Sequence, residues 1–148
     1  MPPALDELVE ELREADRQER IELLIDLAND LPPLPDRLSQ FKDEAHRVPE
    51  CQSPVFLFLE REGPRIHIFA EVPPEAPTVR GFVCLLVRGL DGATAEDVLS
   101  VPNDLIQRTG MAEILGMQRT SGLSGVLHRL KTMVARTEAA STDQSQQN

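Results

Sequence analysis

Leu5, Leu8, Val9 and Leu12 recur at the i, i+3, i+4, i+7 spacing of a helix with one apolar face. Asp16, with Glu19 three residues on, reads as the capping box of a second helix, whose stripe is Ile21, Leu24, Ile25 and Ala28. In "LPPLPDRL", three prolines in four positions stop that helix and force an extended connection.

From Val55 the period changes. "VFLFL" reads as a buried strand, "REGP" (Arg61–Pro64) as a turn, and "RIHIFAEV" places Ile66, Ile68, Ala70 and Val72 on one face. Together they predict a β-hairpin, with a third short strand expected at Ala45–Val48 and Cys51 near its turn. After "PPEAP", Val79, Phe82, Val83, Leu86, Val87 and Leu90 return to helical spacing. Cys84 and Leu85 are apolar too, so this helix is greasy nearly all round and belongs at the centre. Thr94 caps a short helix through Leu99, another follows Asn103, and the last stripe is Leu123, Val126, Leu127, Leu130 and Val134. Runs of one element type predict an α+β fold: a small antiparallel three-stranded sheet with helices packed on one side. Residues 1–138 form one domain, and residues 139–148, ending in "STDQSQQN", are expected to be a disordered polar tail.

Composition narrows the function. The 148 residues carry 25 acidic and 15 basic side chains, a net charge of −10. Such a field repels phosphate backbones and anionic lipid surfaces, so neither nucleic acid nor membrane is an expected partner. No apolar run is long enough to span a bilayer. The acidic, amphipathic start "MPPALDELVEEL" lacks a basic n-region before an apolar h-region, so a cytoplasmic protein is expected.

The chemistry rests on few residues. The two cysteines, Cys51 and Cys84, lack a Cys-x-x-Cys pattern, and His46, His67 and His128 are scattered, a weak zinc signal. A Cys51–Cys84 disulfide is conceivable but disfavoured in a reducing compartment. Cys84, inside "GFVCLLV", reads as core. Cys51, in "VPECQSPVFLF", follows a proline and a glutamate and precedes a strand, a loop setting that suits a reactive residue. A small buried hydrophobe is the alternative for any free cysteine. No Walker loop, Gly-x-Gly-x-x-Gly or nucleophile elbow occurs.

Four segments in order, over roughly Arg17 to Arg136, resemble the SufE family of sulfur-acceptor, or cysteine desulfuration, proteins. "RIELLIDLANDLPPLPDRL" is similar to the family's opening helix and its "LPPLP" element. "VPECQSPVFLFL" resembles its active-site segment, commonly Val-Pro-Gly-Cys-Gln-Ser and then a strand. "TVRGFVCLLV" is similar to its Ile-Val-Lys-Gly-Leu helix start, and "LGMQRTSGL" to its Leu-Ser-Pro-x-Arg-x-Asn-Gly-Leu stretch. The resemblance implies a fold like that of IscU-type scaffolds. It implies a protein that accepts persulfide sulfur from a cysteine desulfurase, stimulates that enzyme and passes the sulfur to the iron–sulfur cluster assembly scaffold. The partner uses pyridoxal phosphate, whereas no cofactor is implied for this chain. Cys51 is then the persulfide acceptor, with Gln52, Ser53 and Arg119 as supporting loop or partner contacts. His46 or Arg47 would lower the thiol pKa if close, and Glu50 would raise it.

Departures from the family pattern are local. Glu50 stands at the usual glycine, Ser121 at the usual asparagine, and "EVPPEAPTV" replaces a Ser-Asp-Ala-like run. Two rivals remain at this point: a one-cysteine thiol peroxidase or redox sensor, which needs a low-pKa exposed thiolate, and an iron–sulfur scaffold, which needs three or four ligands.

Overall fold

A computed structural model describes residues 1–147, with side chains described up to Ala140. Helices α1 (Pro3–Glu14) and α2 (Arg17–Asp30) come first, with the short α3 (Asp36–Ser39) after the prolines. Strands β1 (Phe56–Glu62) and β2 (Arg65–Glu71) follow, then α4 (Pro77–Leu90), β3 (Ala93–Thr94), α5 (Ala95–Leu99), α6 (Leu105–Thr109) and α7 (Ala112–Gln147). Gly116, at φ 79° and ψ 171°, leaves the helical region and breaks α7 into two segments. The expected polar tail over residues 139–148 lies, from residue 141, outside the side chains described.

The fold is α+β, with an antiparallel sheet in the order β1-β2-β3. Leu57 pairs with Ala70 and Leu59 with Ile68, which puts Ile66, Ile68, Ala70 and Val72 into the core. The third strand is not where the sequence placed it. Ala45–Val48 contributes one bridge, Arg47 to Phe56, while β3 is a two-residue strand on β2. Such a strand is too short to carry a period of two.

Helix α4 is the hub, packing on α1, α2, β2 and α7. Phe82, Val83, Cys84, Leu85 and Leu90 are fully buried on it, and each large apolar side chain so buried contributes about 1.5–3 kcal/mol. A Cβ at Gly81 would fall 2.4 Å from the Leu24 carbonyl oxygen, so only glycine lets α2 approach this closely. The Asp16 cap forms, its side chain accepting from the Glu19 amide at 2.9 Å. The expected stripe of α2 is rotated, however. Leu24, Leu27 and Ala28 face the core and Ile25 is 45% exposed. The pattern continues to buried Leu31, an i, i+3, i+4, i+7 set hidden by the apolar Ile21 and Ile25 beside it. Thr94 caps α5 by accepting from the Asp97 amide at 3.2 Å. Among the described residues, no helix is long and apolar enough to cross a membrane.

Candidate functional site

Two backbone bonds frame the Cys51 loop. The Val48 amide donates to the Val55 carbonyl at 2.9 Å, and the Leu57 amide donates to the His46 carbonyl at 2.8 Å. The segment between them cannot extend the sheet. Pro49 and Pro54 lack amide donors, and the loop instead folds back, the Cys51 amide donating to the Val48 carbonyl at 3.4 Å. The anchors Val48 and Val55 are fully buried, so the loop springs from the core.

Cys51 is on a loop and in the core at once. It is only 6% exposed and belongs to the main apolar cluster. Its Sγ donates to the Gly122 carbonyl of α7 at 3.3 Å. The contact is an ordinary one: a Cβ at Gly122 would stand 3.7 Å from Cys51 Sγ and 3.5 Å from the Glu50 carbonyl oxygen. Burial, and secondarily the Glu50 carboxylate, push the thiol up to about 11. The expectation that His46 or Arg47 would lower it is not met. His46 pairs with Asp43 at 2.8 Å and stacks on Phe58, and Arg47 Nη1 reaches Glu44 at 4.0 Å. His67 is held by Glu62 and Asp91, which raise its pKa in that order. No Cys–His dyad is formed among the described residues.

Beside the thiol lies a cleft of about 730 Å³ with three walls. Glu50, Cys51, Gln52 and Ser53 form one, Glu75 to Val79 at the entry to α4 form the second, and Gln118, Arg119 and Ser121 to Leu123 of α7 form the third. Three of the sequence-singled residues thus meet Cys51 in one place: Gln52, Ser53 and Arg119. Arg119 is exposed and makes no ion pair among the described residues, so its guanidinium is available to an incoming group. At the kink above it Met117 is 89% exposed. Cys84 stands apart, fully buried in α4, with burial again pushing its thiol to about 11. Both cysteines are free.

The glycines of α7 and the run Glu75–Val79 were not picked out as site residues from the sequence. The former leave a trace, since Gly122 and Gly125 are three residues apart and so share one helix face, but nothing local says which loop they receive.

The profile of the SufE family, described as an Fe–S metabolism associated domain, matches residues 6–134. The chain belongs to the SufE family. It is 40% identical over 132 residues to an uncharacterized SufE-like protein of Mycobacterium tuberculosis, covering 88% of this chain and 91% of the relative. It is 31% identical over 108 residues to the cysteine desulfuration protein SufE of Plasmodium vivax, covering 71% of this chain and 41% of that longer protein. Its fold matches the solution structure of a hypothetical protein from Thermus thermophilus with a TM-score of 0.82 and 34% identity, over 94% of this chain and 98% of the other. SufE membership associates the chain with Fe–S metabolism. The cysteine of its "CQS" segment is the one that lines the cleft.

Proposed function

We propose that this SufE-family chain is a sulfur carrier for iron–sulfur cluster assembly, with Cys51 as the acceptor. It takes sulfur from the persulfide of a pyridoxal-phosphate cysteine desulfurase, stimulates that enzyme and delivers the sulfur to the assembly scaffold. The observation that carries this reading is the Cys51 thiol under a three-walled cleft, restrained by a two-proline loop.

The transfer is a thiol exchange. The Cys51 thiolate attacks the outer sulfur of the donor persulfide. A Cys51 Sγ–S bond forms, the donor S–S bond breaks, and the donor cysteine leaves as a thiolate that takes up the proton given up by Cys51. No external oxidant or reductant is consumed. In the resting loop the thiol is protonated and covered, which protects a carrier from stray oxidants. Attack therefore needs a second loop state with Sγ turned into the cleft, and the partner favours that state by binding it more tightly. Arg119, at the rim, suits the stabilisation of the departing donor thiolate.

A thiol peroxidase needs a thiolate held at low pKa, whereas burial and Glu50 push Cys51 the other way. The test is incubation with a desulfurase, cysteine and pyridoxal phosphate. Sulfide release should rise, and peptide mapping should find one added sulfur on Cys51. Full stimulation by Cys51→Ser under reducing conditions would overturn the reading.

A further inference from the structure

We propose that Glu50 is a positioning residue that latches the acceptor loop onto α7, with Gly125 as the seat for its side chain. The inference rests on the acceptor reading of Cys51 and adds a residue and a contact to it.

The contact is unusually close. A Cβ built on Gly125 would fall 2.4 Å from Glu50 Cβ, 2.8 Å from Cγ and 3.2 Å from Cδ. Three successive carbons of Glu50 therefore lie flat on the helix where Gly125 has no side chain. The nearest of them is the atom attached to the loop backbone, so rotation of a distant group cannot relieve an added methyl. The loop itself has to move. One turn earlier, Gly122 makes only ordinary contact with the same loop, 3.5 Å to the Glu50 carbonyl and 3.7 Å to Cys51 Sγ, and its carbonyl accepts the hydrogen bond from the thiol. The two glycines form a shallow floor, with the Glu50 stem over one and Cys51 over the other. Lifting Glu50 lifts the neighbouring Cys51 from its acceptor.

The chemistry of Glu50 gives the latch a second consequence. Its stem holds the loop down, while its carboxylate opposes ionisation of the neighbouring Cys51 thiol. Glu50 is itself exposed and lines the cleft, so a docking surface reaches it before it reaches Sγ. One side chain thus ties opening of the loop to activation of the nucleophile.

The test uses the free protein, with no desulfurase, so it reads the latch alone; the acceptor role is read separately by the mapped sulfur. Iodoacetamide labelling of Cys51 is followed by peptide mapping for Gly125→Ala in three backgrounds: unmodified, Glu50→Gln and Glu50→Gly. In the first two the stem is present, and Gly125→Ala should speed labelling at least threefold. In Glu50→Gly the methyl meets no stem, and Gly125→Ala should change the rate by less than about a third. Such background dependence is the signature of a direct contact. The thermal midpoint gives an independent sign. Alanine is the better helix former, so Gly125→Ala should raise the midpoint in Glu50→Gly and fail to raise it where the stem remains. Equal acceleration in all three backgrounds, or none with the stem present, would overturn the latch. Should Gly125→Ala fail to fold, Glu50→Gly still decides the matter. It should label faster than Glu50→Gln, which lacks the charge but keeps the stem, and equal rates for those two would refute a role for the stem.

Discussion

Cys51 should react more slowly in the folded protein than in the unfolded chain until a partner docks. The perturbation is unfolding, and the magnitude follows from the raised pKa. An ordinary thiol at 9.0 and one at about 11 differ about 100-fold in thiolate fraction near neutral pH. The more basic thiolate is the better nucleophile, with a Brønsted coefficient of about 0.4–0.5, which returns about tenfold of that loss. Ionisation alone then leaves native Cys51 about tenfold slower than denatured Cys51 toward iodoacetamide, and occlusion by α7 slows it further. A bulky maleimide should show a larger ratio, because it reads access as well as charge. Docking of a desulfurase whose active cysteine has been removed should restore much of the rate. Peptide mapping, with Cys51→Ser as control, separates this from labelling at Cys84. A native rate within threefold of the denatured rate would refute the burial argument. Equal rates with and without the docked partner would refute the two-state loop while leaving the acceptor role standing.

Cys84→Ala should retain sulfur acceptance and lose on the order of 1 kcal/mol of stability, read by denaturant titration, because its thiol is core filling within α4. Both thiols have folded pKa values raised above 9.0. The folded state therefore holds these protons more tightly, so the contribution of the two thiols to stability should be constant below about pH 9 and be lost as pH rises toward 11. Cys51→Ala should remove part of that slope, read from thermal midpoints across the range. Arg119→Ala should reduce stimulation of the desulfurase without changing the circular dichroism spectrum. Raising salt from low to moderate should slow association while leaving maximal stimulation nearly intact, since screening acts on exposed charges; loss of maximal stimulation would move charged pairs to the centre of the mechanism.

Local signals were legible wherever one short segment decides the outcome. The β2 alternation, the Asp16 and Thr94 caps and the all-round apolar α4 each sit within a few residues. The α2 stripe misled because Ile25 and Leu27 are both apolar, and which one is buried depends on how closely α4 approaches through Gly81. The strand expected at Ala45–Val48 retains only a bridge, since the prolines beyond it end the ladder. At the site, "CQS" marked the cysteine that lines the cleft. What covers it comes from far along the chain: Gly122 lies 71 residues from Cys51, beyond the range of any periodicity.

The pinning of the Cys51 loop at Val48 and Val55 sets its tether length. Three residues from Val48 to Cys51 span at most about 10 Å even when fully extended. That is the radius of a latch, far short of the swinging arm with which tethered-cofactor enzymes visit several active sites in turn. In the proposed carrier role, the cargo then leaves the neighbourhood of β1 only when the whole protein leaves. On that reading, donor and recipient of the sulfur both come to the cleft between the loop, the α4 entry and α7. They would compete for one face, and delivery would be an exchange of partners in solution, with a throughput set by dissociation.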